Sequence, residues 1–101
     1  MVALLDAILA AAIYALGIYE WIVIGAIIFS WLFAFNVING RNQFVSLLAE
    51  FFQATTEPVL RLIRPYMPRV GAIDISPLAL FVILFFLRVL LGNLRRALLG
   101  L

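Results

Sequence analysis

Cysteine and histidine are both missing from this 101-residue chain, and their absence removes whole chemistries at once. Without cysteine there is no disulfide and no thiolate nucleophile. Without histidine there is no histidine-ligated haem, none of the usual zinc sites, and not the commonest general base. Lysine is absent too, so the formal charge of +2 rests on seven arginines against five acids. Arginines so few and scattered exclude a nucleic-acid surface and leave membrane topology, anionic lipid contact and ion pairing as their roles. Proline is confined: Pro58, Pro65, Pro68 and Pro77 are the only four. No basic residue precedes Asp6, so the start lacks the charged region of a secretory signal and is expected to belong to the mature protein.

What the chain has in abundance is apolar surface. Its hydrophobic fraction is 67% and its mean hydropathy +1.23, against about half apolar in a globular domain. A domain this small cannot hide such a surface from water, so lipid is the expected solvent. The predicted fold class is an all-α membrane protein, with two transmembrane helices joined by an interfacial amphipathic helix and a Pro-rich connection. Residues 1–38 form an apolar run broken only by Asp6 and Glu20. As one helix the run would be roughly 57 Å long, nearly twice the ~30 Å hydrocarbon core. It is therefore expected to divide near Gly17, with its span at about 17–36 and residues 1–16 left in the interface or against another chain. Residues 77–96 read as the second span, with Ser76 as cap, Pro77 in the first turn, and Arg95 and Arg96 at the far interface.

Between the spans, residues 39–42 (Asn-Gly-Arg-Asn) read as a turn. From Phe44 onward Leu47, Leu48, Phe51, Phe52, Thr55, Val59 and Leu62 recur at helical spacing. The stripe predicts an amphipathic helix over 43–64, lying flat in the interface with its phenylalanines in the acyl boundary. Pro58 is expected to interrupt it, with Thr55 or Thr56 capping a second piece. Residues 65–76 complete the connection, and Arg61, Arg64, Arg69 and Asp74 mark it as the candidate contact for a partner or a lipid headgroup. Asp74 sits near the expected positive end of the second span, and Gly71 reads as a turn residue.

Three further constellations stand out. Ala7, Ala11 and Ala15, then Ala26, Ser30 and Ala34, place small residues at four-residue steps, a candidate helix-packing face in lipid. Asp6 and Glu20 fall about 40° apart around a helix, which would suit a cation path. The simpler reading puts Asp6 outside the bilayer and Glu20 one turn below its surface. Glu20 and Arg88 form a candidate intramembrane ion pair that would offset the cost of each charge and fix helix register; separate snorkelling of the two is the competing account. No serine–base pairing, metal-ligand spacing or phosphate-cradling loop is present, so no catalytic, cofactor or metal residue is expected.

The residues Ser30-Trp31, Thr56-Glu57-Pro58, Leu60-Arg61, Ile63-Arg64, Pro68, Gly71, Ile73-Asp74 and Ser76-Pro77 resemble the pattern of the YggT family over nearly the whole chain. Leu62 and Ala72 depart from it, standing where the family has proline and a second glycine, and Glu20 is unusual at its position. The resemblance implies a small bacterial inner-membrane protein or plastid relative. It also implies links to cell division or nucleoid distribution, to assembly of a haem-bearing cytochrome, and to osmotic or ion homeostasis, with no enzymatic activity attached. The expected function is a non-catalytic assembly or scaffold factor, or an accessory subunit of a membrane complex. The alternative is a homo-oligomeric ion pore or osmotic-response protein. Expected partners are the lipid bilayer and another membrane protein or further copies of the chain. Arginine counts place residues 39–76 in the cytoplasm and both termini outside.

Overall fold

The computed structural model describes residues 1–68 and 75–100. Among these, all regular structure is helical: α1 (Val2–Ala34), α2 (Gln43–Ile63), a single 3-10 turn (Arg64–Tyr66) and α3 (Ser76–Leu99). α1 and α3 are both long and apolar enough to cross a membrane.

The first apolar run does not divide at Gly17. α1 is one helix of 33 residues, about 50 Å at ~1.5 Å per residue. The reason lies in the backbone. A break inside so apolar a stretch would strand N–H and C=O groups with no polar side chain to cap them and no water to replace it. α1 ends where a suitable residue first appears. Asn36 takes the left-handed conformation at φ 58°, its N–H donates to Phe33 O, and the Val37 N–H reaches back to Leu32 O at 2.9 Å. This is the paired C-terminal hydrogen bonding that a left-handed residue makes possible.

A turn follows, closed by the Asn42 N–H donating to Asn39 O. Asn42 then caps α2, its side-chain oxygen accepting from Phe44 N at 2.9 Å and Val45 N at 3.3 Å. Pro58 lies inside α2 rather than interrupting it. Thr55 and Thr56 cap nothing; their hydroxyls donate back to carbonyls of Phe51 and Phe52. Pro58 removes the hydrogen bond to the carbonyl of Ala54, four residues earlier. At the next carbonyl, Thr55 O, the Tyr19 hydroxyl of α1 donates at 2.8 Å. α3 starts one residue earlier than a Ser76 cap implies: Ile75 holds the cap position, and Ser76 is the buried first helical residue, with Pro77 beside it in the first turn.

The core gathers where all three helices meet: Val23 and Ile27 of α1, Leu60 of α2, and Leu80 and Leu84 of α3. α2 turns Phe52, Thr56 and Leu60 toward the other helices, while Phe44, Leu47, Phe51 and Leu62 stay exposed. Its protein-facing line is therefore rotated from the stripe that the apolar spacing picks out. Toward the other end only α1 and α3 remain, packed through residues seven apart. On α1, Asp6, Ile13, Glu20 and Ile27 form one covered series and Leu9, Leu16 and Val23 another. On α3, Pro77, Leu84 and Leu91 run beside Phe81, Arg88 and Arg95. Seven-residue spacing keeps one seam between two helices that cross at a shallow left-handed angle.

Candidate functional site

The seam carries two ion pairs. Glu20 is buried, and its Oε1 accepts from Arg88 Nε at 2.9 Å. Asp6 Oδ1 accepts from Arg95 Nε at 2.6 Å toward the free ends of the helices, where both side chains are partly exposed. The acids are fourteen residues apart and the arginines seven, about 21 Å and 10 Å along their helices. The four side chains close that difference. Their pairing ties α1 to α3 along the stretch where no apolar side chain is fully covered.

The sequence brought Glu20 and Arg88 forward as a pair but left Asp6 outside the bilayer, with Arg95 as an interface marker. The signal for the second pair was present in the spacing: two acids and two arginines all repeat in multiples of seven, so each couple shares one helical face. In the folded chain both acids are bound to arginines of α3, which leaves neither of them lining an open path.

A second polar site lies where α2 crosses α1. A cleft of about 370 Å³ is lined by Phe29, Phe33 and Phe52 together with Ser30, Gln53, Thr56, Glu57 and Arg64. The rings of Phe29 and Phe52 meet at 5.4 Å between centroids, as do those of Phe29 and Phe33. Gly25 makes this crossing possible, because a Cβ there would stand 2.8 Å from the tip of the Phe52 ring. Arg64 pairs with Glu57 two turns before it on α2. Pro77 brings the start of α3 to the same cleft. Six residues that carry the family resemblance, Ser30, Thr56, Glu57, Leu60, Arg64 and Pro77, thus converge on one cavity from three helices.

The remaining sequence candidates distribute unevenly. Arg61 is exposed on α2, one turn before Arg64. Arg69 and Asp74 lie outside the described residues, as does Gly71. Ala26 is buried, and Ser30 and Ala34 are partly covered. Ala7, Ala11 and Ala15 are exposed in the single chain, so the six small residues do not form one packed face within it. Among the described residues no cluster of three acids could hold a metal ion. The cleft offers hydroxyls, an amide, an ion pair and aromatic faces, which suits holding an amphipathic group and supplies no nucleophile paired with a base.

No curated protein and no solved structure matches the chain. Among family models, the one described as CCB3/YggT matches residues 5–95, nearly the whole length and every element described above. By that match, the chain belongs to the CCB3/YggT family.

Proposed function

We propose that this protein is a non-catalytic assembly or scaffold factor, or a small accessory subunit, of a complex in the bacterial inner membrane. The observation that carries the reading is the outward apolar surface. Tyr14, Ile18, Trp21, Ile28, Phe85 and Phe86 are among the many large side chains left exposed around a hairpin with few buried residues of its own. Such surface is at home against lipid and neighbouring helices. The absence of histidine and cysteine fits a factor that helps another chain hold a cofactor rather than carrying one itself.

In this reading α1 and α3 cross the bilayer, residues 39–76 face the cytoplasm, and α2 lies at the inner boundary. Its exposed Phe44, Leu47 and Phe51 meet acyl chains there, while Phe52 and Leu60 meet protein. The cleft then opens at headgroup depth, with Arg64 already paired to Glu57 and exposed Arg61 one turn away placed for a partner's acidic side chains or for lipid phosphate. The ion-pore reading is weaker, because Asp6 and Glu20 are each engaged by an arginine of the same chain.

The test is purification of the full chain from native membranes in mild detergent, with mass spectrometry of what migrates with it. A stoichiometric membrane partner is the expected result. A homo-oligomer alone, conducting ions when reconstituted in liposomes, would replace this reading with the pore.

A further inference from the structure

Arg88 has more hydrogen-bonding capacity than its own chain uses. It lies twelve residues from Ser76 and seven from Arg95, the expected far interface, about 18 Å and 10 Å along α3. A stem of three methylenes is shorter than either distance. Glu20 takes the Nε hydrogen. A guanidinium has five N–H groups, and no oxygen of the described residues accepts from Nη1 or Nη2 of Arg88. The side chain is 40% exposed, with the guanidinium carbon 5.8 Å from the centroid of the Phe85 ring. In a spanning helix those remaining donors face hydrocarbon, where an N–H without an acceptor is costly.

The geometry points to a docking face for a transmembrane helix of another protein, one that presents a neutral oxygen acceptor (Asn, Gln, Ser or Thr) to Arg88 about two turns inside the outer interface. This rests on the accessory-subunit reading and names the surface and chemistry of its partner. The acceptor is neutral because Glu20 already balances the charge of Arg88, and a further carboxylate would leave a net charge in lipid. A second copy of the chain does not supply it. Inserted the same way, a copy offers Glu20 at that depth, which is buried; its exposed Asn93 lies five residues, about 7.5 Å, toward the outer end with its Oδ1 held by Arg96, and its exposed Tyr14 lies about 9 Å that way. The face has room for close approach: Gly92, one turn beyond Arg88 and on the side of Phe85, has open space where a Cβ would project.

The test places a photo-crosslinking residue in the full chain in native membranes, at Phe85 or Val89 on the Arg88 side and at Phe86 or Leu90 on the opposite side. Adducts to a second membrane protein are expected from the first two positions only, joined within a transmembrane segment that holds Asn, Gln, Ser or Thr at the crosslinked depth. Arg88→Lys keeps a cation for Glu20 but removes the forked donors. It should lower the adduct about tenfold, equivalent to ~1.4 kcal/mol, with the thermal unfolding temperature in detergent lowered far less than by Arg88→Gln. Replacing the partner's polar residue by leucine should lower it similarly. An adduct that survives both changes, or one to lipid or to the chain itself, overturns the proposal. A co-purifying partner that crosslinks only from Phe86 or Leu90 overturns this interface and leaves the accessory role standing, whereas the lack of any heterologous adduct and any partner removes both.

Discussion

Single residues set the most sensitive features of this chain, and Glu20 is foremost among them. Removing one member of a buried pair leaves the other charge uncompensated, a loss of about 3–5 kcal/mol when both are fully enclosed. Arg88 is partly open, so Glu20→Gln and Arg88→Gln should each cost roughly 1–3 kcal/mol in hairpin stability, on the scale of a single charge at mid-span. The double variant should recover part of the sum in a double-mutant cycle read by denaturant unfolding in detergent. Strict additivity would show that the contact does not hold the helices. The same cycle on Asp6 and Arg95 should show a smaller coupling that weakens with salt, because that pair is exposed at the helix ends. Asn36 is a second sensitive position, since its φ of 58° is a conformation that few side chains tolerate. Asn36→Val should destabilise the end of α1 by about 1–2 kcal/mol, while Asn36→Gly should be close to neutral. Equal effects of the two, measured by thermal unfolding, would mean that the α1 terminus is not stability-limiting.

Between elements, the crossing of α1 and α2 rests on one glycine and one ring. Phe51 and Phe52 are equivalent as interfacial anchors in the sequence. In the fold Phe51 is half exposed while Phe52 lies over Gly25. Phe52→Ala should therefore cost about 2 kcal/mol, near half the loss for a fully enclosed phenylalanine, and Phe51→Ala about 0.5 kcal/mol or less. Gly25→Ala would put a Cβ 2.8 Å from the Phe52 ring and force that ring to shift, a smaller cost than that of a branched side chain. Gly25→Val should separate the helices and raise protease cleavage between residues 35 and 68. Equal costs for the two phenylalanines would instead place both in lipid. The apolar spacing of α2 could not reveal this asymmetry, because it counts side chains without knowing which line faces another helix. Leu60, buried in the core, was not in the expected stripe at all.

For the whole molecule, the arginine bias predicts an orientation. Arg41, Arg61, Arg64 and Arg69 lie between the two apolar helices, against Arg95 and Arg96 in the last turns of the second and none before the first. The chain is naturally free of cysteine, so one introduced at Gln53 or appended after Leu101 gives a clean readout. An impermeant thiol reagent on intact cells should label the appended cysteine and spare Gln53→Cys; the reverse pattern would invert the topology. The register of the hairpin also bears on which part of α1 spans the bilayer. Asp6 meets Arg95 near the end of α3, so α1 runs beside α3 from its first turns, rather than leaving residues 1–16 unaccompanied.

Composition and spacing alone determined that this is a helical chain with two apolar segments long enough to cross a membrane, where those segments lie, and that histidine and cysteine chemistry is closed to it. They do so because hydropathy and side-chain inventory are sums over residues and need no partner. The residues that carry the family pattern were legible as well, but not as a site: Ser30, Thr56, Glu57 and Pro77 are scattered in sequence and meet only when α2 folds across α1. The continuity of α1 past Gly17 was decided by the cost of opening a backbone that has nothing else to bond to. The face of α2 that turns inward and the joining of Asp6 to Arg95 were decided by packing between helices. Each depends on the relative rotation and depth of two elements, and no single stretch of chain encodes that.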